Sequence, residues 1–228
     1  MNRANWRIWD VVFILSIHLI AKFIVVDFWL EPLLTDLGFD GVITGTITGL
    51  FLACVALTSV FLFGIQKNNL SFRDLGFRPE IKITKHLRLI LIYTLLSLIS
   101  AGLLLYIMYE VIGVGPNERS NAVADPNVYK LTVALLSAAV ISPFYEEIVY
   151  RGFIYENFRK HFNRWPAILL NAIIFSLVHL PSLDILPVNI VNGILFALAY
   201  EKTRSIYVPM IIHGLFNGIL FLGVLIGN

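Results

Sequence analysis

The sequence predicts an all-α protein: a polytopic membrane helical bundle of about seven hydrophobic helices, with a helix break before a Glu146-Glu147 pair. Two observations carry that prediction. Hydrophobic residues make up 58% of the chain and charged residues only 14%, against about 45–50% and about 25% in ordinary soluble domains. The apolar residues also gather into runs, at 9–30, 42–65, 87–112, 129–143, 166–180, 185–200 and 206–226. A full crossing takes roughly 17–25 residues, which the first three runs and the last supply. The fourth to sixth are short or interrupted by polar groups, as helices lining a cavity can be. With no strand pattern and no long linker, one membrane domain spans 1–228: N-terminal helices over 1–127 and a polar-motif core over 128–220.

The first run follows Arg3 and Arg7, as in a signal peptide. It is too long for one, contains Lys22, and ends in Phe28-Trp29-Leu30-Glu31-Pro32 without a small-residue cleavage site. A retained transmembrane helix is expected. Trp6, Trp9, Trp29 and Trp165 fall near segment ends, as interfacial anchors do. The second run holds Cys54, the only cysteine, so the chain makes no disulfide with itself.

The basic residues set the expected orientation. Lys67, Arg73, Arg78, Lys82, Lys85 and Arg88 lie between the second and third runs; Arg151, Arg159, Lys160 and Arg164 follow the fourth; Lys202 and Arg204 precede the last. The first connection instead carries Glu31, Asp36 and Asp40. All three basic connections share a side if the N-terminus is cytoplasmic, which leaves the loop 113–127 outside. An integral protein of the plasma membrane is expected, with the lipid bilayer as its surroundings and no nucleic-acid partner.

In the fourth run, Ser142 and Pro143 look like a helix start, with Ser142 as cap and Pro143 in the first position. Capping does not account for two adjacent glutamates followed by Arg151. An ionisable side chain at membrane depth costs roughly 2.5–3.5 kcal/mol on insertion scales, so several in consecutive apolar segments mark a candidate site. Glu147 and Arg151 are four apart and can pair on one helix face. Glu146 is rotated about 100° away, toward a shared cavity. His179 and His213 follow in successive apolar segments, and Asn217 lies one turn beyond His213. His18, His86 and His161 have no polar company in the sequence and receive no role. One difficulty stands: Glu146 falls about seventeen residues into its run, near the cytoplasmic face, whereas His179 lies toward the outer side if the fifth helix starts at Pro166. Either residues 144–162 run partly inside the membrane or Pro143 breaks the fourth helix so that a new one begins there, and the break is expected.

These residues carry a family resemblance. Glu146-Glu147-Ile-Val-Tyr-Arg151 resembles the Glu-Glu-x-x-x-Arg motif of the CPBP family, the CAAX proteases and bacteriocin-processing enzymes. Phe175-Ser-Leu-Val-His179 is similar to its Phe-x-x-x-His motif, and His213-Gly-Leu-Phe-Asn217 to its His-x-x-x-Asn/Asp motif. Asn192-Gly193 with Phe196 and Ala197 resembles its small-residue helix, and Leu75-Gly76-Phe77-Arg78 a stretch found upstream. The resemblance covers roughly 128–220 and implies an intramembrane endopeptidase acting on a membrane-embedded or prenylated peptide. In that scheme Glu146 activates a water with help from His179, and His213 and Asn217 stabilise the oxyanion. Glu147 completes the catalytic set, and Arg151 supports it. Glu146, His179 and His213 also have the composition of a zinc shell, though without the His-Glu-x-x-His spacing. No cofactor is certain: zinc and metal-free chemistry both stay open. Two other classes remain beside the protease: a non-enzymatic bacteriocin-immunity or partner-binding membrane protein, and a small proton-linked transporter, against which stands the lack of an internal repeat.

Overall fold

A computed structural model describes residues 6–115 and 128–227, with side chains to residue 223. The described residues form seven principal helices and no strand: α1 Ile8–Asp36, α2 Gly41–Gln66, α3 Ile83–Ile112, α4 Val128–His161, α5 Arg164–Leu177, α6 Leu183–Thr203 and α7 Tyr207–Gly227. Five of them, α1 to α4 and α6, are long and apolar enough to cross a membrane. The chain is an integral membrane protein. Most of the loop expected on the outer side, from residue 116 to 127, lies outside the described residues.

Side-chain contacts sort the connections into two ends. At one end the Asn157 amide donates to the Arg7 carbonyl at 3.0 Å, Lys67 meets Asp10 at 2.7 Å, and Arg204 meets Glu156 at 3.0 Å. The stretch Leu75–Arg78 docks there too. The Ile206 N–H donates to the Gly76 carbonyl at 3.0 Å, and Arg78 Nε to the Arg204 carbonyl at 2.6 Å. Gly76 has φ +87°, and a Cβ there would lie 2.6 Å from the Tyr200 hydroxyl oxygen, so both backbone and space demand glycine. At the other end Lys130 lies 3.3 Å from Asp40, and Tyr109 donates to Asp184 at 3.1 Å. Asp40 caps α2 by accepting from the backbone N–H groups of Val42 and Ile43. The Ile43 hydrogen bond, opposed by partial desolvation and aided by Lys130, holds its carboxyl below the ordinary value. Successive helices therefore run alternately up and down, and the basic connections gather at the end that holds Arg7.

The axis of the bundle is the second half of α4. Tyr150, Phe153, Ile154 and Tyr155 are buried, and Glu147 and Arg151 are fully so. By contrast α1 and α3 present Ile24, Phe28, Leu95, Ile99 and Leu103 outward, as helices facing lipid do.

The break expected at Pro143 is absent. Ile141 (φ −67°, ψ −52°) and Ser142 (φ −58°, ψ −55°) are helical, and α4 runs unbroken to His161. Ser142 is therefore an interior residue and not a cap. A proline inside a helix ordinarily costs about 3 kcal/mol; here the helix widens to absorb it. Over Ser137–Ile141 the bonds shift by one residue, so that the Ser142 N–H reaches the Ser137 carbonyl. In that register the next donor, to Ala138, is the N–H that Pro143 lacks. Asn217 supplies it, its Nδ2 donating to the Ala138 carbonyl at 2.9 Å. Gly214 lets α7 come close, since a Cβ there would sit 2.5 Å from the Ala139 oxygen.

Continuity of α4 also removes the depth difficulty. Glu146 lies fifteen residues before His161, where α4 ends, and His179 lies in the turn just past Leu177, the far end of α5 from Arg164. Across so short a turn both stand on the order of 20 Å from the same end, at about 1.5 Å per helical residue.

Candidate active site

Glu147 anchors the site. Its Oε1 accepts from Arg151 Nη1 at 2.8 Å and lies 2.9 Å from His213 Nδ1. The pairing expected from the four-residue spacing thus forms, with both side chains fully buried. A carboxylate only accepts, so Nδ1 of His213 carries a proton there, and Nε2 points onward. Arg151 is held on its remaining sides by the Gly193 carbonyl, 3.3 Å from Nη2, and by the rings of Phe175 and Phe196, at 4.4 and 5.2 Å. Desolvated cation–aromatic contacts of this kind contribute about 2 kcal/mol. Gly193 is small because α5 presses on it: a Cβ would lie 2.8 Å from Ala172 Cα.

The same two rings carry the imidazoles. His213 stacks on Phe196 at 4.7 Å and meets the edge of Phe175 at 5.9 Å. His179 meets Phe175 at 5.2 Å, and its Nδ1 bonds the Phe175 carbonyl at 2.8 Å. A backbone carbonyl only accepts, so Nδ1 carries that proton and Nε2 is the accepting nitrogen.

Glu146, one residue from the anchor, faces elsewhere. Its Oε2 lies 3.9 Å from His213 Nε2, too far for a direct hydrogen bond and close enough for one water to touch both. The structure therefore brings Glu146, Glu147, Arg151 and His213 together and seats His179 on the ring that His213 also touches. Asn217, though one turn from His213, directs an amide hydrogen to Ala138 instead.

The zinc-shell composition does not become a zinc shell. Among the described residues no three His, Cys, Asp or Glu side chains converge where a metal ion could be held.

Sequence reasoning missed three participants. Phe175 and Phe196 stand in quoted motifs, but their role as platforms for Arg151 and the imidazoles is tertiary. His18 was given no polar company; in the structure it is buried, and the charges it senses are those of Glu146, His179 and Lys22. Lys22, one turn along α1, was the available signal. It pairs with Asp27 at 2.8 Å, a five-residue step that fits the widened helix there.

A membrane bundle with two buried carboxylates and a buried imidazole, and a second imidazole half-buried beside them, defines a class: intramembrane proteins with a polar, acid–base-capable site. Residues 128–219 match the family described as "Type II CAAX prenyl endopeptidase Rce1-like", and that stretch holds the whole constellation just described except His18. The chain is 29% identical over 123 residues to "Putative membrane peptidase YdiL" of Bacillus subtilis, covering 54% of this chain and 50% of that protein. It is 33% identical over 95 residues to "Membrane-embedded CAAX protease MroQ" of Staphylococcus aureus, covering 39% of this chain and 38% of that one. The chain thus spans half or less of the curated relatives it matches. No solved structure matches it.

Proposed function

We propose that this chain is an intramembrane endopeptidase of the CAAX-protease type. The observation that carries the reading is the buried Glu146 carboxylate facing His213 Nε2 across 3.9 Å, while Glu147 backs the far side of the same imidazole. The family match over 128–219 supports it. Glu146 takes a proton from a water, and the water oxygen attacks the peptide carbonyl carbon. His179 Nε2 accepts the second hydrogen of that water. The oxyanion takes a hydrogen bond from His213 Nε2–H: His213 enters the step with a proton on each ring nitrogen, the second taken from solvent and kept throughout, and Glu147 on Nδ1 supplies the counter-charge. Asn217 keeps one amide hydrogen on Ala138 and offers its other to the oxyanion. Glu146 then hands its proton to the amine nitrogen as the C–N bond breaks.

The substrate is a membrane-associated peptide, and a prenylated C-terminal peptide is the first to test. The gathered basic connections support a cytoplasmic N-terminus in the plasma membrane. Purified protein in lipid nanodiscs should cut an internally quenched prenylated CAAX-type peptide, and Glu146→Gln should abolish cutting with folding intact. Undiminished cutting by Glu146→Gln would sink the mechanism. A wild type that cuts nothing, together with cells still protected by a Glu146→Ala, His179→Ala variant, favours the partner-binding class instead.

A further inference from the structure

The first helix reaches into the site. His18 is only 5% exposed, and its Nδ1 is buried without a hydrogen-bond partner. An unpaired polar atom at such a place is expensive, and more so in a membrane, where no bulk water relieves it. Its depth is not arbitrary. From the contact between Arg7 and Asn157, His18 is eleven residues along α1 and Glu146 eleven back along α4. Both stand about 16 Å from that contact, at 1.5 Å per residue. Glu146 and His179 are among the groups whose charge His18 senses, so the imidazole belongs to the same polar region and enters it from a helix outside the matched stretch 128–219.

A peptide cut within a bilayer raises a need that the reacting groups do not meet. Its backbone N–H and C=O groups beside the scissile bond leave water and must find partners in the protein. We propose that His18 Nδ1 is such a partner, a substrate-positioning residue that hydrogen-bonds a peptide unit next to the one cut. This rests on the endopeptidase reading and adds α1 to the substrate-binding surface. It also accounts for an imidazole left unsatisfied in the free protein, since the missing partner arrives with the substrate.

Kinetics with the prenylated CAAX-type peptide test it. His18→Phe should raise KM about tenfold, the effect of one lost hydrogen bond, with kcat little changed. His18→Gln, whose amide can make the same bond, should recover most of the loss. A binding measurement separates this inference from the reaction itself. With histidine nitrogen-labelled in the Glu146→Gln protein, adding the uncut peptide should move the His18 ring resonance. An unchanged KM in His18→Phe, or a His18 resonance that ignores the peptide, overturns the proposal. A peptide that binds and moves His18 yet is never cut by the wild type overturns the endopeptidase reading and leaves the contact standing.

Discussion

Glu147 and His213, sixty-six residues apart in sequence, share a hydrogen bond of 2.9 Å through the same carboxylate oxygen that accepts Arg151. The adjacent glutamates therefore divide their work. Glu147 is a buried ion-pair partner, and Glu146 faces the open side of the imidazole. Removing one member of a buried pair leaves the other charge uncompensated, at about 3–5 kcal/mol. Glu147→Ala should lower the thermal unfolding midpoint in detergent sharply and lose activity with it. Glu146→Gln should leave that midpoint nearly unchanged while cleavage falls by about 10²–10⁴-fold, the range for a lost general base. Equal unfolding midpoints for the two variants would contradict this division.

Arg151 tests the same anchor from its cationic side. Its planar guanidinium lies over Phe175 and Phe196 and reaches Glu147 and the Gly193 carbonyl at once. A lysine keeps the charge but has neither the plane nor the fork, so Arg151→Lys is not a conservative change here. It should be destabilised by about 1–3 kcal/mol, the scale of a broken charged hydrogen bond. Thermal unfolding of the purified variant reads this directly. A midpoint equal to the wild type would mean that charge alone is required.

How much of this was legible in the sequence follows from the range of each interaction. The helices were legible because hydrophobic runs are local, and the Glu147–Arg151 pair because a four-residue spacing is local too. The widened turn before Pro143 was not, because it depends on Asn217 reaching across from α7 and on Gly214 allowing the approach. Read alone, Ser142-Pro143 is a good helix start, and tertiary contacts outweigh that local preference. His18 was illegible for the same reason: its polar company comes from α4 and the end of α5, not from its own neighbours.

The Asn217–Ala138 hydrogen bond makes a prediction about coupling. Asn217→Ala should cost about 1 kcal/mol of stability by orphaning the carbonyl that Pro143 cannot serve. Pro143→Ala restores a backbone N–H beside that carbonyl, so Asn217→Ala should cost markedly less in the Pro143→Ala background. A double-mutant cycle on unfolding free energies measures the difference, and simple additivity would refute the link. Cleavage separates the two duties of Asn217. If its second amide hydrogen serves the oxyanion, the kcat lost in Asn217→Ala, about 10²–10³-fold for such a donor, should not return with Pro143→Ala.

Gly76 lies far from the reacting groups, yet it sets how α6 and α7 join. Its carbonyl receives the Ile206 N–H, and Arg78, two residues on, holds the Arg204 carbonyl. An alanine there would need a left-handed backbone and would drive its Cβ to 2.6 Å from the Tyr200 hydroxyl oxygen. Strain at such a position costs about 1–3 kcal/mol. Because α7 carries His213 from this joint, Gly76→Ala should lower both the unfolding midpoint and kcat, whereas Gly102→Ala, on α3 with open space around it, should change neither. Comparing the two in the same nanodiscs isolates the joint from any general effect of adding a methyl group. If Gly76→Ala unfolds and cuts like the wild type, the Leu75–Arg78 stretch does not hold the helix that presents His213.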